Sequence, residues 1–336
     1  MKKVNVAVVG VGAVGEEMLR VLRQRKFPVN QLKVFARSAR EISVDDQKYS
    51  VETLGNDSFQ GIDIALFAGT EGEKGAAVTY APSAIKSGAI VIDNGADFRM
   101  KKDVPLVVPE VNASDIKKHK GIIANPNCST IQMVVALGPI YKKVGLKRVI
   151  AATYQAVSGS GRGAIAQTEN EFRAWANNSQ EEIPKAMDQV IAFNLFPHIG
   201  GFQDEGYTSE EWKMVYETHK ILHDKKIKIS ATTVRVPIRN AHSEAIYLET
   251  RKHITVEKMR KLLSQSPGII VMDDPAKKIY PMPCDSSGRD EVFVGRIRRD
   301  PFVKNAFWLW VVSDNLRKGA ATNAIQIAEE LLKLEK

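Results

Sequence analysis

The stretch KVNVAVVGVGAVGEEMLRVLRQRKFP, residues 3–28, decides the fold. Residues 3–9 are short, apolar and β-branched, the pattern of a buried strand. Gly10, Gly12 and Gly15 follow as G-x-G-x-x-G. Met18, Leu19 and Leu22 then mark one face of an amphipathic helix that stops before Pro28. Strand, glycine turn and helix in that order open a dinucleotide-binding βαβ unit. Along Gly10, Gly12, Ala13, Val14 and Gly15 the backbone can approach a pyrophosphate at the helix N-terminus. A tight turn without a ligand is the plainer alternative. The apolar run is broken by glycine and soon followed by Glu16 and Glu17, so it reads as a strand and not as a secretory leader.

Further strands are expected at LKVFAR (32–37), IDIALFAG (62–69), AIVIDNGAD (89–97) and GIIANP (121–126). Strands alternating with helices imply a doubly wound, mostly parallel, Rossmann-like sheet. The pattern changes after residue 127. Longer strand candidates, RVIAATYQAVS, ISATTVRVPI, EAIYLETR, EVFVGRIRRD and AFWLWVVSD, are spaced by helices near 161–176, 208–223 and 255–264. They imply an α+β domain on a large mixed sheet. An amphipathic helix is expected from Asn315 to Lys336. The division that follows is 1–127 with 315–336 for the dinucleotide and 128–314 for catalysis and dimerisation.

Hydrophobic residues are 44% and charged residues 26% of the chain, as in soluble globular domains. No apolar stretch reaches the roughly 20 residues that span a bilayer. Two cysteines cannot build a disulfide framework, which favours a reducing cytoplasm. The net charge of +9 is scattered among acids, with no focused basic stripe, so small anionic ligands suit it better than nucleic acid. His219 and His223 are four apart, but no third metal ligand accompanies them, and no metal is expected. The alternation of Trp308 and Trp310 with Leu309 and Val311 is strand-like, and an apolar sheet face there fits a homodimer.

The residues ending the second strand choose the cofactor. An NAD site usually offers Asp or Glu there. This chain has Arg37, Ser38 and Arg40, two guanidiniums and a hydroxyl that suit the 2′-phosphate of NADP; a solvated basic loop is the alternative.

In ANPNCSTIQMVVALG, 124–138, the turn Asn125-Pro126-Asn127 precedes a helical run. Cys128 falls in the first helical turn, where the dipole favours a thiolate. A small buried core residue is the alternative reading. Cys284 has no helix behind it and reads as structural or incidental. A thiolate beside a nicotinamide implies one chemistry: addition to an aldehyde, hydride departure, and an acyl-enzyme thioester, or the reverse.

Four segments, NPNCST, TYQAVSGSGRGA, RVPIRNAHSEA and DNLRKGAATNAIQ, occur in the order found in aspartate-β-semialdehyde dehydrogenases, and the chain resembles the bacterial type of that family over its whole length. The resemblance implies NADPH-dependent reduction of L-aspartyl-β-phosphate to the semialdehyde and phosphate, in the branch leading to lysine, threonine and methionine. It implies Cys128 as nucleophile, Gln155 as the group orienting the acyl intermediate, and His242 as acid/base. It implies Arg235 as the clamp on the substrate α-carboxylate and Glu210 as the partner of its ammonium. Lys213, Arg99 and Asn127 are implied for phosphate. Asn323 is implied for the nicotinamide carboxamide, and Ser158 and Gly159 for the cofactor. From spacing alone, Glu210 and Lys213 read equally as a surface ion pair on one helix face.

The family loop G-A-T-G-x-V-G is altered here, with Val9 and Gly10 in place of Gly and Ala, and Asp97 stands in the Arg99 segment. ADFR is similar to N-acetyl-γ-glutamyl-phosphate reductases, the nearest alternative. Their cysteine usually sits in Gly-Cys-Tyr, and their substrate has no free ammonium for Glu210. Glyceraldehyde-3-phosphate dehydrogenases share the architecture but carry Ser-Cys-Thr-Thr-Asn. A nucleotide-binding redox sensor is the alternative from another class, and it would have no use for Gln155, Arg235 and His242.

Overall fold

The computed structural model describes residues 2–69, 75–179 and 182–334. The chain divides into two compact units, Met1–Asn127 with Gly319–Lys336, and Cys128–Lys318.

In the first unit the opening stretch forms β1 (Val4–Val9) and α1 (Ala13–Gln24). There follow β2 (Val29–Ala36), β3 (Arg40–Val44), β4 (Gln47–Thr53), β5 (Ile64–Phe67), α2 (Ala76–Lys86), β6 (Ile90–Asp93), a short α3 (Pro109–Asn112) and β7 (Ile122–Ala124). The sheet order is β3-β4-β2-β1-β5-β6-β7. All neighbours run parallel except β3 with β4. Strand order reverses at β1, between β2 and β5, and in such sheets ligands bind at the carboxyl ends beside that reversal. Gly10–Gly15 lies there.

The closing helix, α9 (Thr322–Leu334), belongs to this unit. Its Ala324, Ile325, Ala328, Leu331 and Leu332 share a core with Val6, Val8, Met18, Leu22 and Ile92. Arg25, just after α1, binds Glu329 through two N–H donors, 2.8 and 2.7 Å long. The helix starts later than its amphipathic pattern implies, because Arg317–Ala321 forms a wider π-type turn before it. Residues 335–336 of the expected helix, and 70–74 ahead of α2, lie outside the described residues.

The second unit opens with α4 (Cys128–Val144), buried along most of its length. It continues with β8 (Leu146–Gln155), α5 (Gly161–Ala176), α6 (Ser209–Leu222), β9 (Lys228–Arg235), β10 (His242–Thr250), α7 (Val256–Ser264), β11 (Ile269–Val271), a short α8 (Pro283–Ser286), β12 (Val292–Arg299) and β13 (Ala306–Ser313). These strands form a mixed sheet in the order β11-β12-β13-β10-β8-β9. α4 and α6 pack on each other, α4 against β10 and α6 against β9, covering one face. On β8, Val149, Ala151, Thr153 and Gln155 are buried on that face, while Ile150 and Tyr154 on the other are exposed. Trp308 and Trp310 are half-buried on that second face, Trp308 edge-on to Tyr247 and Trp310 tilted against Tyr154.

Candidate active site

Pairing register assembles the reactive groups of the second unit. Gln155 on β8 lies opposite Arg235 on β9. Ser243 pairs with Tyr154, which places His242 at the same level on the far side of β8. A strand turns alternate side chains to one face, so Arg235, Gln155 and His242 form a row beneath α4. All three are buried.

Cys128 is the first residue of α4, with Asn127 immediately before it. Its Sγ lies 3.4 Å from Nε2 of His242. On the other side of the ring, the backbone N–H of Ala156 donates to Nδ1 across 3.0 Å. A backbone N–H can only donate, so Nδ1 is the acceptor and the neutral imidazole carries its proton on Nε2, facing the sulfur. Burial first, and then the nearby Arg235 guanidinium, push the His242 pKa down to about 3, with Glu210 opposing them. The resting ring is therefore a neutral hydrogen-bond donor toward Sγ.

Ala156 also places Arg235, whose Nη1 donates to its carbonyl across 2.6 Å. Gln155 accepts from the Thr153 hydroxyl at 3.0 Å and donates to Oε1 of Glu210 at 3.2 Å. Lys213 reaches the other oxygen of Glu210 at 3.3 Å. The expected i,i+3 pair on α6 is thus present, and it faces Gln155 with Glu210 buried. Gly159 completes this wall. A Cβ added there would lie 3.1 Å from Arg235 Nη1 and 3.2 Å from His242 Cε1. Ser158, expected to touch the cofactor, is buried with its hydroxyl bonded to Asn240 and Asn315.

The first unit holds the remaining expected residues. Gly10 has φ +95°, and a Cβ on Gly15 would sit 1.9 Å from the Gly10 carbonyl oxygen. Space above Gly12 is open. The turn therefore needs glycine at two positions and leaves the third clear for a close approach, which fits a pyrophosphate despite the departure from the family loop. Arg37, Ser38 and Arg40 are exposed, with Arg40 folded back on Ser38 at 3.3 Å.

Along the carboxyl edge of the same sheet runs a chain of amides. Asn323 donates to Asn125 at 2.6 Å, Asn125 to Asn94 at 2.7 Å, and Asn94 to the Phe67 carbonyl at 3.0 Å. A further Nδ2 bond from Asn323 goes to the Val107 carbonyl. Arg99 is buried and donates to the carbonyls of Asn125 and Asn94 at 3.0 and 2.7 Å, while Asp97 is exposed. Beneath it Asp93 is fully buried, with Oδ1 accepting from the Gly95 N–H and Oδ2 unpartnered. Burial raises its pKa to about 6 against the pull of that N–H and of Arg99, with Asp97 adding to the rise.

His219 bonds the Ile227 carbonyl, and His223 takes the left-handed C-cap position of α6. Cys284 is exposed, with its thiol toward Asp285. Sequence reasoning passed over Ala156, which acts through its backbone and leaves no mark in residue type. It also passed over Glu244, which stood in view inside HSE.

A nucleotide-type sheet, and in the second unit a cysteine–histidine pair walled by Arg235, Gln155 and Glu210, fit the semialdehyde dehydrogenase class. The family model described as "Semialdehyde dehydrogenase, NAD binding domain" matches residues 5–119, and "Semialdehyde dehydrogenase, dimerisation domain" matches 137–318. The aspartate-semialdehyde dehydrogenase of Aquifex aeolicus is 53% identical, over 98% of each chain. The crystal structure of aspartate semialdehyde dehydrogenase II complexed with ASA from Vibrio cholerae is 43% identical over 99% of each chain, with a TM-score of 0.93. A Candida albicans aspartate semialdehyde dehydrogenase with NADP is 27% identical over 98% of each chain, with a TM-score of 0.73. The chain belongs to the aspartate-semialdehyde dehydrogenase family and uses a nicotinamide dinucleotide.

Proposed function

We propose that the protein reduces L-aspartyl-β-phosphate to L-aspartate-β-semialdehyde and phosphate with NADPH, reversibly, through a thioester on Cys128. The observation that carries this reading is the 3.4 Å contact between Cys128 Sγ and the Nε2–H of His242, set beside Arg235 and Glu210. The full-length relatives named for this activity support it.

The Cys128 thiolate attacks the acyl carbon, and phosphate departs with the electron pair of the broken C–O bond. When bound, the reduced dinucleotide supplies the hydride. The thiohemiacetal oxyanion then collapses to the aldehyde and expels the thiolate. Both anionic states need a donor more than a base, and His242 presents Nε2–H to them without first gaining a proton. Gln155 orients the acyl oxygen. Arg235 grips the α-carboxylate through its guanidinium fork, and Glu210, steadied by Lys213, meets the α-ammonium. Such a set selects a free amino acid and disfavours an N-acetylated one, which lacks the cation that Glu210 requires. Arg99, Asn127 and Lys213 are assigned to phosphate, and Asn323 to the carboxamide of the cofactor. Ser158 and Gly159 are assigned to cofactor contact.

For the cofactor, Gly10, Gly12, Ala13, Val14 and Gly15 hold the pyrophosphate, and Arg37, Ser38 and Arg40 the 2′-phosphate of NADP. Residues 1–127 with 315–336 form the dinucleotide-binding part, and 128–314 the catalytic and dimerisation part. A homodimer is formed on the open sheet face bearing Ile150, Tyr154, Trp308 and Trp310. Among the described residues no helix is long and apolar enough to cross a membrane, and the cytoplasm is the proposed location.

The test is NADP reduction with aspartate semialdehyde and phosphate, run beside N-acetylglutamate semialdehyde. Turnover of the first and not the second is expected. The opposite result assigns the chain to the acetylglutamyl chemistry, and turnover of neither leaves the sensor reading.

A further inference from the structure

Beneath the reactive pair lies a second rung that no step above uses. Glu244 follows His242 by two residues on β10, so it points to the same face of the sheet. Gln132 follows Cys128 by four residues on α4, so it lies on the same face of the helix, one turn further in. α4 packs directly on β10. The upper rung between helix and strand is Cys128–His242, and the lower is Gln132–Glu244. Both lower side chains are buried, Glu244 with no exposed surface.

Glu244 lies between the sheet and α4. Its neighbours across the sheet are Thr153, whose hydroxyl serves Gln155, and Val311. Gln132 faces it closely enough to act on its ionisation, yet neither carboxyl oxygen, nor Nε2 of Gln132, meets an acceptor or donor in full hydrogen-bond geometry. Burial holds the carboxyl well above the usual carboxylate range, and the Gln132 amide opposes this only in part. Two such groups have one arrangement that satisfies both. A protonated carboxyl donates O–H to the Gln132 carbonyl and accepts from the Gln132 N–H, closing a cyclic pair. An unpaired alternative would leave two buried polar groups unsatisfied.

We infer that Glu244 is a positioning residue for the nucleophile: paired as an uncharged acid with Gln132, it ties the first turns of α4 to β10 and so fixes the Cys128–His242 contact. The inference rests on Cys128 being the nucleophile. Its test therefore includes alkylation of the thiol, which reports the contact whether or not the proposed substrate is turned over.

The experiment compares Glu244→Leu, Glu244→Gln, Gln132→Glu and the exchanged double variant Gln132→Glu with Glu244→Gln. Each is assayed for kcat and for the pH profile of Cys128 alkylation by iodoacetamide. Leucine removes the rung while keeping the volume, so a folded Glu244→Leu protein is expected to lose about tenfold or more in kcat, as a misplaced reactive pair does. Its alkylation midpoint should also rise, as the thiolate loses its Nε2–H partner. Glu244→Gln keeps a donor and an acceptor and retains the wild-type alkylation profile. Gln132→Glu sets two carboxyls together, which can pair only while both stay protonated, so its profile departs from the wild type as pH rises, and the exchange restores it. Should Glu244→Leu fail to fold, the loss and rescue across the exchange decide alone. Wild-type alkylation and kcat in Glu244→Leu or in Gln132→Glu overturns the inference. So does a loss in Glu244→Gln equal to that in Glu244→Leu, which would mark the carboxyl as a proton carrier.

Discussion

The backbone N–H of Ala156 donates to Nδ1 of His242, and this one bond determines which ring nitrogen carries the proton. Protonating Nδ1 would set two N–H groups against each other at 3.0 Å, inside a buried site that already holds Arg235. His242 is thus fixed as a neutral donor. With its pKa pushed down to about 3, the ring is uncharged across the neutral range. In NMR of the enzyme without substrate, the His242 ring signals should not titrate between pH 5 and pH 8. A midpoint near the ordinary histidine value of about 6.5 would show that the Ala156 bond is not made in solution.

Cys128→Ser tests the sulfur itself. An alcohol beside a neutral imidazole is a far poorer nucleophile than a thiolate, so kcat should fall by about a thousandfold or more. Cofactor affinity, measured by fluorescence titration, should stay within a few-fold. Retained turnover would remove Cys128 from the mechanism.

Arg235→Ala separates the two ligands. The guanidinium reaches the site from the end of β9 and is steadied by the Ala156 carbonyl. Losing its fork should raise KM for aspartate semialdehyde by about tenfold or more, with KM for NADP nearly unchanged. Equal effects on both would count against the carboxylate clamp. Arg37→Ala with Arg40→Ala should do the reverse, raising KM for NADP while leaving KM for NAD almost untouched.

Much of this fold is legible because its buried strands are nearly continuous apolar runs, as at Val6–Val9 and Ile64–Phe67. Helices such as Gly161–Ala176 declare themselves through period and turn residues. The β3–β4 hairpin escapes because its inward face is narrow: Ile42, Val44, Tyr49 and Val51 alternate with polar residues and pack on the core, but only Val44 and Val51 are buried. β11 is three residues long and borrows its order from pairing with β12. The wide turn at Arg317–Ala321 hides inside a helical pattern, since its composition matches the helix it precedes. At the site, motif and side-chain type point to Cys128, Gln155, Arg235 and His242. What aligns them is strand register and one backbone amide, which no local sequence pattern encodes.

Gly159→Ala probes how closely that alignment is built. The added methyl would press on Arg235 Nη1 at 3.1 Å and on the His242 ring at 3.2 Å. Neither neighbour yields freely, because Arg235 is held by the Ala156 carbonyl and His242 by the Ala156 N–H. Gly159 itself is exposed and does not have a positive φ, so the fold should tolerate alanine. A loss of kcat/KM of about tenfold or more is therefore expected with little change in Tm. An equal fall in both would mean that Gly159 serves the fold and not the site.

Asp93 gives a test of the first unit that needs no substrate. In the unfolded chain its carboxyl ionises near 3.8, and in the folded protein near 6. Between those values the folded state binds the extra proton, so this group's contribution to stability declines as pH rises from about 4 to about 6, then levels off. The difference corresponds to at most about 3 kcal/mol. Asp93→Asn keeps the oxygen that accepts the Gly95 N–H and removes the ionisation. Relative to the wild type, the variant should therefore gain stability from pH 4 to pH 7, as read from urea midpoints with unchanged m-values. A stability difference that stays flat across that range would show that Asp93 ionises at its ordinary value, and that its unpartnered oxygen meets water in solution.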